Sequence, residues 1–338
     1  MKKIIVSDPT LRDGNHALGH QLNVRQMVMY AAASDAAGVA IVEVGHGNGL
    51  GASSLQVGES AIEDLAMLGA VRAVLKHAKL GVHIIPGFGT INKNLKPAIE
   101  AGVDVVRVAS HCTEADTTQR HIGYAREKGR VAYGVLMMSH MAAKEVLLNE
   151  CRKMESYGAE AVVLMDSAGA YLPADVSERI GFLARNLSIP VGFHGHNNLG
   201  MAVANSAAAA EAGATLLDGS ARGLGAGAGN TPLEVMIAVL HRMGYSTDVD
   251  LYKILDAADL AERHLMPKIP TISSLSIASG LAGVFSGFAK HVERVAAEYG
   301  VDAREVFREL GNRKVVAGQE DVAIEVAIEL AARKGEEK

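Results

Sequence analysis

A (β/α)₈ barrel (TIM barrel) carrying a C-terminal all-helical extension is the fold class that this 338-residue sequence predicts. Three observations point there. Short Val- and Ile-rich runs recur eight times, and helical periodicity follows them. The runs are continuously apolar rather than alternating, as expected of parallel strands covered on both faces. The alternation then stops near residue 245, and only helical periodicity remains. Eight strands interleaved with helices favour a closed barrel over an open doubly wound sheet. One such barrel takes about 250 residues, so we expect the barrel over 1–247 and a helical domain over 248–338, the latter facing a partner.

In chain order the expected strands are Ile4–Asp8, Ile41–Gly45, Gly81–Pro86, Val103–Ala109, Val131–Leu136, Ala161–Asp166, Val191–His194 and Thr215–Asp218. Helical periodicity lies between them over Val24–Ala37, Ile62–Lys79, Ala143–Tyr157 and Asn198–Ala212. Beyond residue 247 it continues over Leu251–Leu265, Ile272–Glu298, Ala303–Leu310 and Asp321–Arg333, with Pro267, Pro270 and Gly300 as punctuation. The charged end, Arg333 to Lys338, is expected to fray.

Composition narrows the class of protein. Hydrophobic residues make up 49%, enough for a large core, while aromatics are 4% with no Trp. A formal charge of −5 provides no basic footprint for nucleic acid or an anionic membrane. Two cysteines, Cys112 and Cys151, make no disulfide framework and suit a cytoplasmic protein. The first apolar run ends at Ser7-Asp8, too soon for a secretory signal, and no stretch approaches the roughly 20 apolar residues of a membrane span.

The chemistry gathers at strand ends, which in this fold face the active site. Thr10-Leu11-Arg12-Asp13-Gly14-Asn15-His16 follows the first strand. Within five residues it offers a metal ligand, an anion clamp and a proton-transfer group, although Asp13 could equally be a helix cap. His194-Gly195-His196 closes the seventh strand, where residues two apart share a face and both imidazoles can meet one ion. Asp13 with these two histidines makes an open O/N ligand set without thiolate, which argues for Mn²⁺, with Mg²⁺, Co²⁺ or Zn²⁺ as alternatives. Gly223-Leu224-Gly225-Ala226-Gly227-Ala228-Gly229-Asn230 follows the eighth strand and either cradles an anion or shapes the metal cavity, with Asn230 near the metal. His46, Asn48 and Ser167 are further candidates to line the cavity. Glu43, His83, Arg107, His111, Glu114, His140 and Asp166 also sit at strand ends, where supporting roles are expected of most of them. No lysine stands at an expected strand end, which disfavours a Schiff base and favours a metal.

Together these strings resemble the 4-hydroxy-2-oxovalerate aldolases, within the DRE-TIM metallolyase superfamily (HMG-CoA lyase-like). The likeness runs nearly end to end, through Thr10-Leu11-Arg12-Asp13-Gly14, His111-Cys112-Thr113-Glu114-Ala115-Asp116, Leu136-Met137-Met138-Ser139-His140-Met141, Met154-Glu155-Ser156-Tyr157-Gly158-Ala159, Gly225-Ala226-Gly227-Ala228-Gly229-Asn230 and Gly318-Gln319-Glu320-Asp321. It implies a class II pyruvate aldolase that cleaves a 4-hydroxy-2-oxo acid to pyruvate and a short aldehyde. It implies that Asp13, His194 and His196 hold Mn²⁺, that Arg12 steadies the pyruvate enolate oxygen, and that His16 is the general base on the 4-hydroxyl. Arg12, Ser167, His194 and Phe285 would meet the substrate. A partner, an acylating acetaldehyde or propanal dehydrogenase, is implied for the C-terminal region. Two departures stand out. Gly283-Val284-Phe285 replaces the family's Gly-Val-Tyr, so a ring remains without its hydroxyl. Asn48 replaces the Asp of His-Gly-Asp-Gly. Two other readings share these motifs: a Claisen-type condensing enzyme acting on an acyl-CoA and a 2-oxo acid, and a non-catalytic subunit that docks a dehydrogenase.

Overall fold

A computed structural model describes residues 2–316 and 318–336. Eight parallel strands, β1 (Ile5–Leu11), β2 (Ile41–Val44), β3 (Lys79–Ile84), β4 (Val105–His111), β5 (Val131–Met137), β6 (Ala161–Asp166), β7 (Val191–Gly195) and β8 (Leu216–Asp218), form a closed barrel in sequence order. β8 closes on β1 with Ile5 opposite Leu216 and Ser7 opposite Asp218. The fully buried strands account for the unbroken apolar runs in the sequence. β1 extends three residues further than its Val/Ile content indicates, and so delivers Arg12 and Asp13 directly to the carboxyl mouth.

Around the barrel run α1 (Gly14–Ala17), α2 (Val24–Ala36), α3 (Asp64–Arg72), α4 (Lys96–Glu100), α5 (Gln119–Glu127), α6 (Lys144–Ser156), α7 (Pro173–Asn186), α8 (Ala202–Ala212) and α9 (Leu233–Arg242). Local polar bonds trim two of the expected helices. α3 stops at Arg72 because the Asp35 carboxylate takes the backbone N–H groups of Lys76, His77 and Ala78 at 2.6–3.2 Å. Those amides are then unavailable to a helix. α8 begins four residues late because Asn198 is buried, its side-chain amide donating to the Ala168 carbonyl and to Ser286 Oγ, each at 2.9 Å.

Two apolar layers stabilise the barrel. Ile41, Val105, Ala109, Val135, Met137, Val163, Met165 and Leu216 fill the inside. The outer layer joins the strands to the helices and continues into α10 (Leu251–His264), whose Ile254, Ala257, Ala258 and Ala261 belong to it. A separate core begins only further along, built from Val284, Phe288, Val292, Phe307, Leu310, Val326 and their neighbours. It unites α11 (Ser274–Ala282), α12 (Ala289–Tyr299), α13 (Ala303–Asn312) and α14 (Val322–Glu336). The helical pattern of 272–298 is broken at Gly283, which has φ +65° and ends α11 in the left-handed conformation that glycine adopts freely. α14 remains helical through Glu336 rather than fraying from Arg333, while Glu337 and Lys338 lie outside the described residues. Among the described residues no helix is long and apolar enough to cross a membrane.

Candidate active site

The carboxyl mouth collects Asp13, His194 and His196. One ligand atom from each lies within 4.8 Å of the others, and all three side chains are buried. Asp13 heads α1, yet its side chain caps nothing there. Its Oδ1 instead accepts from Asn230 Nδ2 at 3.2 Å and faces the Ala226 N–H at 3.4 Å, and its Oδ2 takes Arg12 Nη1 at 2.6 Å. The glycine-rich loop thus meets this carboxylate through one backbone N–H and through the Asn230 side chain. His194 lies 2.8 Å from Asp218 Oδ2 through Nδ1. That carboxylate accepts the Nδ1–H, leaving the Nε2 lone pair free. The two imidazoles stand 5.1 Å apart.

Several buried polar atoms of the site have no protein partner, among them His194 Nε2, His196 Nδ1 and Arg12 Nη2. Buried polar groups of this kind are rare unless something else satisfies them. The charges are unbalanced too. The buried guanidiniums of Arg12 and Arg107 face three buried carboxylates, Asp13, Glu43 and Asp218, leaving one negative charge over. A cation bound by two imidazole nitrogens and a carboxylate oxygen would satisfy the orphaned ring atoms and offset that charge, so the donor set fits a divalent metal.

Burial alone would raise the Asp13 carboxyl, but the Arg12 guanidinium and then the two imidazoles hold it well below the usual carboxylate range. Burial pushes His16 down to about 4, against the pull of Asp13. His16 thus stays neutral at pH 7. It lines a small cavity together with Arg12, Asp13, Asn48, His83, His196 and Phe285. Its ring packs so close to Gly47 that a Cβ there would lie 2.5 Å from it, so any larger residue would displace the ring. A cleft of about 660 Å³ opens outward from His16 and Phe285 between the barrel and the C-terminal helices.

The remaining candidates divide. Asn230 supports the Asp13 carboxylate. Asn48 and Phe285 line the cavity, and the Phe285 ring also flanks the outer cleft. Ser167 is turned elsewhere: its Oγ accepts the Met138 N–H at 2.9 Å, and it lines neither space. His46 is fully buried behind the site, meeting the Gly58 carbonyl and the Asn48 N–H at 3.0 Å each.

His20 has no counterpart in the sequence reading. It has φ +63°, stacks on His46 with ring centroids 3.6 Å apart, and meets His16 edge-on at 5.2 Å. Lys290 of α12 also reaches in, donating to the carbonyls of His16 and Ala17 at 3.2 and 3.4 Å. Four residues after His16, His20 could have been noticed as a second ring near one loop. Nothing local marks Lys290.

A closed barrel that gathers a carboxylate and two imidazoles at its carboxyl mouth has the architecture of an enzyme whose site could hold a divalent ion. Residues 3–261 match the HMGL-like family, and residues 270–332 match a DmpG-like communication domain. The chain is 59% identical over 330 residues to a 4-hydroxy-2-oxovalerate aldolase from Spirochaeta aurantia, covering 98% of this chain and 97% of that protein. It is 60% identical over 332 residues to one from Pectobacterium atrosepticum, with the same coverage. Among solved structures, the carboxyl transferase domain of Rhizobium etli pyruvate carboxylase with pyruvate and biocytin aligns with TM-score 0.83 and 16% identity. The alignment covers 99% of this chain and only 61% of that one. The N-terminal domain of a putative aldolase from Bacteroides vulgatus aligns with TM-score 0.73 and 22% identity over 89% of this chain and 98% of that one. These two show the fold alone. The chain belongs to the 4-hydroxy-2-oxovalerate aldolase family, and it is a carbon–carbon lyase.

Proposed function

We propose that Arg12, Asp13, His16, His194 and His196 carry out the cleavage of 4-hydroxy-2-oxovalerate, or a close 4-hydroxy-2-oxo acid, to pyruvate and a short aldehyde. One observation carries the assignment of roles: Arg12 Nη2, His194 Nε2 and His196 Nδ1 are buried without partners around one carboxylate. Asp13, His194 and His196 hold the divalent ion, with Mn²⁺ favoured by the mixed O/N donors. When bound, such an ion supplies a Lewis acid that stabilises negative charge developing on the 2-oxo oxygen.

The chain's own residues do the rest. Neutral His16 takes the proton of the 4-hydroxyl. The electron pair of that O–H becomes the aldehyde carbonyl, the C3–C4 bond breaks, and its pair forms the C2=C3 bond while the keto π pair moves onto the 2-oxo oxygen as an enolate. One proton added at C3 then gives pyruvate, balancing the proton that His16 took and later releases. Arg12 Nη2, a donor with no other partner, is placed to hydrogen-bond that oxygen as its charge grows. Glu43 and Asp13 fix the guanidinium so that little reorganisation is needed.

We infer further that the partner at the communication domain is an acylating aldehyde dehydrogenase taking acetaldehyde or propanal. α11 supports this, with Ile277 and the 76% exposed Leu281 open to solvent. Two free, buried thiols, Cys112 and Cys151, accord with the reducing cytoplasm.

The test is to supply Mn²⁺ and a 4-hydroxy-2-oxo acid series to the purified chain and couple pyruvate to lactate dehydrogenase. His16→Ala should keep Mn²⁺ binding while turnover falls about 100-fold or more. Loss of the metal in that variant would make His16 a ligand instead and overturn its role as base.

A further inference from the structure

We propose that Arg107 is a positioning residue for this site: with Glu43 and Asp218 it forms a buried chain of ion pairs that holds Arg12 and the metal ligand His194 in one frame across the barrel mouth. The proposal rests on the reading of Asp13, His194 and His196 as the metal set.

The chain is continuous. Arg12 Nε meets Glu43 Oε1 at 2.5 Å, and Glu43 Oε2 meets Arg107 Nη1 at 3.1 Å. Arg107 Nη2 donates to Asp218 Oδ2 at 2.6 Å, and the same oxygen receives the His194 Nδ1–H at 2.8 Å. It begins after β1, passes through residues of β2, β4 and β8, and ends on β7. Glu43 and Arg107 have no exposed surface at all, and Asp218 has 1%.

Stability is a poor reason for such a chain. Desolvating buried ion pairs offsets most of their attraction, and well-packed apolar residues in their place are often as stable. Placement is a better reason, because the planar guanidinium of Arg107 donates a directed hydrogen bond to Asp218 and sets its second amino group against Glu43 as an ion contact, an arrangement that an ammonium on a flexible stem does not reproduce. Each end of the chain holds a group whose other nitrogen is orphaned: Arg12 Nη2 at one end, His194 Nε2 at the other. Glu43 thereby sets the direction of the free Arg12 donor, and Asp218 sets the His194 tautomer and ring angle. Arg107 fixes the distance between the two.

The two ends predict separable effects. In the full-length protein, Mn²⁺ affinity would be read from the electron paramagnetic resonance of free Mn²⁺, alongside kcat, KM and the thermal midpoint. Asp218→Asn should weaken Mn²⁺ binding about 10- to 100-fold. Glu43→Gln should leave Mn²⁺ affinity within about twofold but lower kcat by about tenfold or more, the direction expected when an enolate-stabilising donor is misaimed. Arg107→Lys, which keeps the charge and loses the fork, should do both. Arg107→Lys with unchanged metal affinity and kcat, and only a lower midpoint, would show a structural ion pair and overturn the proposal. If that variant does not fold, equal effects of Asp218→Asn and Glu43→Gln on both readouts overturn it. Wild-type protein that binds no Mn²⁺ would sink the reading of Asp13, His194 and His196 as a manganese set instead.

Discussion

His16 can act as a base at neutral pH because burial, stronger than the pull of Asp13, keeps its ring unprotonated down to about 4. Turnover should therefore stay flat from neutral pH into the mildly acidic range and fall as pH drops toward about 4. Mn²⁺ occupancy measured at each pH separates this from release of the ion. An acid limb near 6.5 with the metal still bound would mean that the ring is not shielded as described. Phe285 lines the same cavity with a ring that lacks a polar tip. In Phe285→Tyr, a hydroxyl at the ring edge gains a donor and acceptor toward the substrate. The expected result is discrimination of roughly tenfold, about 1.4 kcal/mol, between the two C4 enantiomers relative to the parent, read by chiral analysis of unreacted substrate. At this scale the reactive residues were legible where they are neighbours in sequence: Arg12, Asp13 and His16 in one string, His194 and His196 in another. His20 was not, because its place depends on a left-handed backbone and on stacking with His46, which comes from the loop after β2.

Elements bring these residues together, and two of their boundaries are testable. Gly283 ends α11 at φ +65°, and a Cβ there would come within 2.9 Å of His140 Nε2. Gly283→Ala should cost about 1–2 kcal/mol in urea unfolding, and a neutral result would show that α11 can end another way. Lys290 binds the C-terminal unit to α1 through the carbonyls of His16 and Ala17. A net hydrogen bond is worth about 1 kcal/mol, so Lys290→Met should lower kcat by about three- to tenfold while Mn²⁺ affinity is unchanged. Equal kcat in the variant and the parent would show α1 to be held without it. Periodicity located all eight strands and most helices because a buried strand must be apolar on both faces. It missed the end of β1 because Pro9, Thr10 and Leu11 break the Val/Ile run, and it ran past Gly283 because apolar spacing continues across the break. The stop of α3 was invisible for a different reason: Asp35, which takes the amides, lies 41 residues before the first of them.

The whole molecule carries a surplus of buried negative charge and several buried neutral rings, and both make its stability depend on pH and metal. The unfolded chain protonates histidine near 6.5, whereas burial holds His16 and His196 to about 4 in the folded protein. Between those values the unfolded state binds more protons, so the contribution is complete above pH 6.5 and is lost as pH falls toward 4. Glu43 acts in the same direction lower down. Burial would raise it, but Arg107 and Arg12 hold it at about 2, below its ordinary 4.5, so stability is lost further as pH passes from about 4.5 toward 2. The metal-free protein should therefore show a thermal midpoint that is level above pH 6.5 and declines below it. Mn²⁺ at a hundred times its dissociation constant should add about 2.7 kcal/mol at neutral pH, because it binds a ligand set that only the folded chain assembles. Protons compete for His196 only near its folded value. The stabilisation by Mn²⁺ should accordingly persist well below pH 6.5 and disappear near pH 4. A loss centred at 6.5 would mean that the His196 ring titrates as it does in water and does not stand in a desolvated site.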